Sequence, residues 1–255
     1  MDDMRVTSVN VGREETIDHG NRRFTTGIRK RSVDGAVYIG SDSVAGDTIS
    51  DKKHHGGADQ VVYAYSADDY EWWLQQLNRE LAPGTFGDNL TIEGLPTDMN
   101  VGDRLLIGDV LLEATAPRIP CSTLAAQMQD AGFGMAFRKA ERPGIYFRVL
   151  NEGEVSAGDA VTCIENPAPV VSILQLYRLA YDLRPDPDVL ERYLEVGNVD
   201  QPLATFHGHT YDAANIIFNA VEEVGVVGDD GSLTIDLGLL RSAIFATTDH
   251  PGVTG

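Results

Sequence analysis

The chain has 255 residues, of which 42% are hydrophobic, and it carries a formal net charge of −19 at pH 7. This apolar content is sufficient for the core of one large or two modest domains. The acidic balance argues against nucleic-acid or membrane partners, because anionic surfaces are bound through basic patches. Residues 1–5 carry acid where a secretory signal would carry base, and no apolar run is long enough to span a bilayer. We expect a cytoplasmic, globular protein with reduced cysteines.

The charged residues are also unusual in type. The chain has 25 Asp and 14 Glu against 16 Arg and only 4 Lys. Self-repulsion on this scale is costly in dilute buffer and is tolerated in strong salt, where charges are screened within a few ångström. The composition predicts a salt-loving (halophilic) host, with an ordinary acidic bacterial protein as the alternative.

The first 165 residues are patterned as short strands separated by glycine-rich turns. Residues 61–65 are typical of a strand, and residues 104–107 and 110–114 flank Gly108-Asp109, which suits a two-residue hairpin turn. Many short strands without regular strand–helix alternation predict a mainly β fold with some α, closed or nearly closed as a barrel over residues 1–165.

Helical patterns occur twice within this region, after Ser66 and from Ser122, and again beyond it. Ser66 precedes apolar residues at helical spacing, including Trp73, whose expected role is core packing. Beyond Glu165 the composition becomes helical, which predicts a short helical appendage over residues 166–200.

Cys121 is the first candidate for a catalytic or metal-binding residue. It directly precedes a predicted helix with Ser122 as its cap, and it lies close to Arg118. The positive end of a helix and a nearby guanidinium both favour thiolate, the form that attacks electrophiles and binds soft metals. A small buried hydrophobic residue is the equally weighted alternative. Cys163 lies in a strand-like segment and is expected to pack.

The sequence offers few ligands for a metal held by protein alone. Two cysteines cannot supply a four-thiolate zinc or iron–sulfur site, and His54 and His55 are adjacent rather than one helical turn apart. Any metal would therefore need further ligands from another source, such as a bound cofactor.

A series of short motifs follows in a characteristic order. They are Thr26 to Lys30, His55 to Asp59, Pro83 to Thr91, Gly102-Asp103, Pro117 to Cys121, and Gly144 to Leu150 with Gly158-Asp159. In this order the motifs resemble the MOSC-domain family, and more closely its YiiM-like branch. The resemblance covers about residues 4–165 and continues more weakly to about residue 200.

This resemblance implies a β-rich, barrel-like fold that binds the molybdenum–pterin cofactor (molybdopterin), with Cys121 as the protein ligand to the metal. It also implies reduction of N-hydroxylated small molecules, including hydroxylaminopurines and amidoximes. Because no flavin or iron–sulfur motif is present, a separate electron-donor protein is expected. A pterin dithiolene would supply the other soft ligands, so one cysteine is sufficient.

The cofactor's phosphate requires hydrogen-bond donors and positive charge. The expected binding residues are Thr26, Lys30, Gly56, Gly57, Asn89, Arg118 and Arg148, of which the glycines allow close backbone approach. His55 is expected to position substrate or to transfer a proton. The alternatives are surface ion pairs for Lys30 and Arg148 and a turn histidine for His55.

Two positions depart from the family pattern. Gln60 stands where a basic residue is usual, which removes one positive charge near the expected pocket. Asp88 stands where Glu is usual, which is a milder change. The first departure bears on cofactor affinity or substrate range more than on the thiolate.

The last expected segment, residues 201–255, contains the runs Thr210 to Ile217, Gly231 to Thr234, Leu239 to Ala243 and His250 to Gly255. From about residue 203 these runs resemble a C-terminal portion of extracellular solute-binding proteins of the amino-acid-receptor type. A ligand site of that type needs two complete α/β lobes, so we expect a fused or truncated remnant with helices at 211–224 and 237–245. Two other functions stay open for the chain. It could act as a molybdenum-cofactor or sulfur carrier through Cys121, or as a non-catalytic ligand-binding protein.

The composition generates a test in salt. We expect the melting temperature to rise well into molar KCl, beyond the range in which simple screening is complete. Thermal melts in increasing KCl measure this directly. A melting temperature that is flat above about 0.3 M would remove the salt-loving interpretation.

Overall fold

The computed structural model describes residues 4–50, 56–168, 171–181, 188, 216–217, 219–228 and 232–247. The chain forms two compact units, Met1–Asp200 and Gln201–Gly255. Predicted features on the other residues lie outside the described part; these include His55, most of the helical appendage, and residues 211–215 and 218 of the helix expected at 211–224.

The first unit is built mainly of strands. They are β1 (Arg5–Gly12), β2 (Glu15–His19), β3 (Arg22–Thr26), β4 (Lys30–Ser32), β5 (Val37–Ile39), β6 (Val62–Ser66), β7 (Leu90–Glu93), β8 (Arg104–Ile107), β9 (Val110–Pro117), β10 (Ile145–Asn151), β11 (Gly153–Val155) and β12 (Val161–Ile164). The helices are α1 (Ala67–Leu77), α2 (Ser122–Met128), α3 (Phe133–Ala140) and α4 (Ile173–Leu179).

Among the described residues, eight strands form one sheet in the order β12-β8-β9-β10-β6-β7-β1-β4. Neighbouring strands of this sheet are antiparallel except for the parallel pair β6–β7. The predicted hairpin is confirmed, since Ile107 pairs with Val110 across Gly108, whose positive φ of 57° suits the tight turn. Two smaller antiparallel pairs, β2–β3 and β5–β11, lie outside this sheet.

The expected barrel is not closed by a strand ladder in the described residues. Instead, the start of β1 meets the segment before β12 through an isolated bridge between Arg5 and Ala160. Three backbone hydrogen bonds accompany it: Val6 N to Asp159 O (2.9 Å), Gly158 N to Val6 O (2.7 Å) and Val161 N to Met4 O (2.9 Å). The fold is therefore sheet-dominated mixed α/β, and full closure remains a prediction.

Helices α1, α2 and α3 enclose an aromatic core against the sheet. Trp73 of α1 is 2% exposed, which confirms its predicted packing role, and its ring stacks on Phe137 at 6.0 Å between centroids. Its indole N–H donates to the Tyr65 hydroxyl at 2.8 Å. Ser66 caps α1 by accepting from Asp68 N at 3.2 Å. Burying each large aromatic side chain contributes about 2–3 kcal/mol, so this cluster fixes the positions of the three helices.

The second unit is described only in part. It contains the strands β13 (Val226–Val227) and β14 (Leu233–Thr234), which pair antiparallel, and helix α5 (Leu237–Ala246). Asp236 caps α5 by accepting from Gly238 N and Leu239 N. Within the described residues of the whole chain, no helix is both long and apolar enough to cross a membrane.

The division at residue 200 generates a truncation test. We expect a chain ending at Asp200 to melt within about 4 °C of the full chain, which corresponds to about 1 kcal/mol for a domain of this size. The reason is that the aromatic core lies wholly within Met1–Asp200. Thermal melts of both proteins measure the difference. Loss of soluble expression in the shorter chain would show instead that residues 201–255 take part in packing.

Candidate functional site

A cavity of about 310 Å³ opens into the first unit beside the start of α2. Its wall combines β3 and the segment leading to β4, residues 47–50, the start of β6, the turn before β7, and the segment between β9 and α2. The lining residues include Arg23, Phe24, Thr25, Thr26, Gly27, Ile28, Lys30, Asp47, Thr48, Ile49, Ser50, Gly56, Gln60, Val61, Tyr63, Gly87, Asn89, Arg118, Cys121, Thr123 and Tyr146.

Most of the predicted site residues meet in this cavity. Its wall includes the predicted set Thr26, Lys30, Gly56, Asn89, Arg118 and Cys121. Gly57 lies beside it, where its φ of 86° begins the 3₁₀ turn Ala58–Gln60. Arg148 is directed elsewhere and forms ion pairs with Asp59 (2.9 Å) and Glu113 (3.8 Å). His55 lies outside the described residues.

Cys121 is held at the first turn of α2. Its backbone is extended (φ −112°, ψ 171°), and Cys121 itself is the N-cap residue, so the expectation of Ser122 as cap was wrong by one position. Leu124, Ala126 and Met128 of α2 are buried in the aromatic core. This packing anchors the helix and leaves the half-buried thiol in the cavity wall.

Arg118 is a buried cation in the same cavity wall as Cys121. It is 6% exposed, it donates a hydrogen bond to the Phe86 carbonyl, and its guanidinium carbon lies 5.0 Å from the centre of the Tyr63 ring. Burial opposes its charge, but Tyr146, Tyr63, Cys121 and Asp88 outweigh this effect, so the pKa of Arg118 is raised. The guanidinium therefore stays charged and interacts favourably with the thiolate form of Cys121.

Lys30 is engaged by a carboxylate that the sequence did not single out. Asp47 forms a buried ion pair with Lys30, accepts from Asn89 Nδ2 at 2.9 Å, and accepts from Gly12 N at 2.7 Å. Burial lowers the pKa of the Lys30 ammonium, and the Asp47 charge works against that shift. In sequence, Gly46-Asp47 looks like the turn pairs Gly102-Asp103 and Gly158-Asp159, so no local signal marks it.

Asp88 stabilises the cavity wall through hydrogen bonds. It is fully buried and accepts from the Tyr70 hydroxyl (2.6 Å), Thr91 Oγ1 (2.7 Å), Asn10 Nδ2 (3.3 Å) and Gly84 N (3.3 Å). Burial raises the pKa of this carboxyl, and the hydrogen bonds from Tyr70 and Thr91 oppose that shift. Asp88 thereby fixes the turn that presents its neighbour Asn89 to the cavity.

Three hydroxyl side chains in the wall were not anticipated. Ser50 Oγ is buried and has no hydrogen-bond partner within the described residues, which marks it as a group that a ligand could satisfy. Tyr146 packs against Tyr63 at 5.0 Å between ring centroids, and Thr123 follows the start of α2. Burial raises the pKa of the Tyr146 phenol, while Arg118 lowers it, so the phenol is protonated near neutral pH.

Close backbone contacts explain two glycines of the cavity. A Cβ at Gly27 would lie 1.9 Å from the Thr48 carbonyl oxygen. At Gly87, φ is +79° and a Cβ would lie 3.0 Å from both Arg118 Nη1 and Ile28 Cγ1. Larger residues at either position would displace the wall, and at Gly87 they would displace the guanidinium itself.

Comparison with known proteins identifies the class of this chain. The MOSC domain matches residues 51–162. The chain is 32% identical over 191 residues to the uncharacterized protein YflK of Bacillus subtilis, spanning 74% of this chain and 86% of that one. The chain therefore belongs to the MOSC-domain family.

Within that family, the chain is similar to YiiM proteins. It is 28% identical over 180 residues to Escherichia coli YiiM, covering 68% of this chain and 79% of the relative. The crystal structure of YiiM from Geobacillus stearothermophilus superposes with a TM-score of 0.65 at 27% identity, covering 83% of this chain and 98% of that one. A protein named reductase from Gibberella moniliformis is 32% identical over 162 residues, 61% of this chain and 28% of its own length.

Gly87 provides a test of how the wall holds Arg118. We expect Gly87→Ala to lower the free energy of unfolding by about 1–3 kcal/mol, because alanine disfavours positive φ and its Cβ crowds the guanidinium. Gly134→Ala in α3 is the control; its Cβ meets no atom within 4 Å, and alanine favours helix by up to about 1 kcal/mol. Denaturant unfolding measures both. Equal stability of the two variants would contradict this account of Gly87.

Proposed function

We propose that this protein is a cytoplasmic oxidoreductase that binds the molybdenum–pterin cofactor and reduces N-hydroxylated compounds, such as hydroxylaminopurines and amidoximes. Its electrons come from a separate donor protein. The observation that carries the proposal is the cavity wall in which the Cys121 thiol, the buried Arg118 guanidinium and the Asn89 amide meet. The MOSC assignment and the similarity to YiiM and to a protein named reductase support it.

The residues present fit such a cofactor. Within the described part of the chain, no three His, Cys, Asp or Glu side chains cluster to hold a metal, so a metal here needs a carrier that brings its own ligands. Cys121 offers one soft thiolate, Arg118 offers a permanent positive charge, and the buried Ser50 hydroxyl has no hydrogen-bond partner among the described residues. When bound, the cofactor supplies sulfur ligands and a redox-active metal.

In this proposal each group of side chains in the cavity wall has its own role. Cys121 would hold the metal as thiolate, and Arg118 would stabilise that thiolate and attract the anionic part of the cofactor. Asn89 Nδ2 donates within the wall, where it is already oriented by Asp47. Phe24, Ile28, Ile49 and Val61 form the apolar part of the lining and limit water.

Reduction of an N-hydroxylated compound breaks the N–O bond with two electrons and two protons and releases water. The electrons come from the donor protein. Tyr146 and Thr123 place hydroxyl groups in the wall beside Cys121 and can hold the substrate's hydroxyl as it leaves. His55 keeps its proposed role in positioning substrate or transferring a proton.

The direct test compares the two cysteines. We expect Cys121→Ser, purified from a host that makes the cofactor, to lose molybdenum and at least about 100-fold in turnover of a hydroxylamine or amidoxime, because a serine hydroxyl is hard and poorly ionised. Cys163→Ser is the matched control; Cys163 is half-buried in β12 and pairs with Leu105 across the sheet. It should keep metal and turnover.

Two outcomes would overturn the proposal. Full activity in Cys121→Ser would remove the cysteine from the reaction. A wild-type protein without metal or turnover, but with persulfide on Cys121, would favour the sulfur-carrier alternative.

A further inference from the structure

The cavity wall contains a negative charge where an anion is expected to bind. Asp47 lies between Lys30 and Asn89, the two donors that were expected to contact the ligand, and both already donate to its Oδ2 atom. Its Oδ1 atom accepts from Gly12 N at 2.7 Å. The side chains of Lys30 and Asp47 are only 8% and 5% exposed, so solvent screens this pair weakly.

The two buried cations of the cavity therefore differ in how their charge is balanced. Among the described residues, no carboxylate lies within ion-pair distance of Arg118, whereas the Lys30 charge is matched by Asp47 in direct contact. An incoming anion therefore gains more attraction from Arg118 than from Lys30, since no carboxylate of the described residues is in direct contact with Arg118. From Lys30 it gains little, because the adjacent carboxylate repels it.

We propose that Asp47 is a built-in counter-anion that sets the cavity's affinity for anionic groups. It holds Lys30 and Asn89 in the wall in the absence of ligand, and it weakens the binding of phosphate-bearing ligands. Asp47 is thus an affinity-determining residue of this site. The inference rests on the proposed function only in that a phosphate group enters this cavity.

Calorimetric titration with inorganic phosphate tests this inference without metal or turnover. Asp47→Asn keeps the shape and an acceptor for Gly12 N but removes the charge, so we expect phosphate to bind at least about tenfold more tightly. Lys30→Met should weaken binding by a similar factor, because it leaves the carboxylate unpaired. The double variant should return to within about threefold of the wild type.

The matched control is Asp69→Asn. Asp69 is also a buried carboxylate paired with an arginine, Arg142, but neither residue lines the cavity. Its removal should leave phosphate affinity unchanged. If Asp47→Asn does not fold, the comparison of Lys30→Met with the double variant still isolates the effect of the carboxylate, since replacing both members of a buried pair is often tolerated.

The outcomes separate this inference from the proposed function. Unchanged or weaker phosphate binding in Asp47→Asn would overturn it, and so would an absence of phosphate binding in every variant. Neither result bears on the metal content of Cys121→Ser. Conversely, tighter binding in Asp47→Asn would support the inference even in a protein without reductase activity.

Discussion

The site depends on burying one guanidinium in an acidic protein. Arg118 lies between the Phe86 carbonyl and the Tyr63 ring. Because Gly87 has no side chain, there is space beside it for the Nη1 atom of Arg118. Burying a charge without a carboxylate in direct contact, as holds for Arg118 among the described residues, is costly, so the surrounding carbonyl, ring and turn must be held firmly. Asp88 provides that rigidity by tying the turn before β7 to Tyr70 and Thr91. The placement of a permanent positive charge beside Cys121 follows from this arrangement.

The elements that could be predicted from the sequence are those determined by a few neighbouring residues. The hairpin at Gly108 depends on a glycine in a two-residue turn, and helix α1 depends on its Ser66 cap and apolar spacing. The neighbourhood of Cys121 and Arg118 was predictable because only two residues separate them. Each of these signals is contained within a few consecutive positions.

The rest depends on contacts between distant segments. Asp47 reaches Asn89 across 42 positions, and Ser50 and Tyr146 enter the cavity from separate elements. No pattern within Gly46-Asp47 distinguishes it from turns elsewhere, and Arg148 sits on a strand that directs it to Asp59 and Glu113 instead. Barrel closure likewise depends on the contact between β1 and the segment before β12. The pattern of strands in the sequence does not determine that contact.

The proposed function requires that the Cys121 thiolate binds molybdenum in this cavity. X-ray absorption at the molybdenum edge tests it most directly, using protein purified from a host that makes the cofactor. We expect a metal signal with one more sulfur neighbour in the wild type than the pterin alone supplies, and loss of that neighbour in Cys121→Ser. The same sulfur coordination in both proteins, or wild-type protein without the metal, would contradict it.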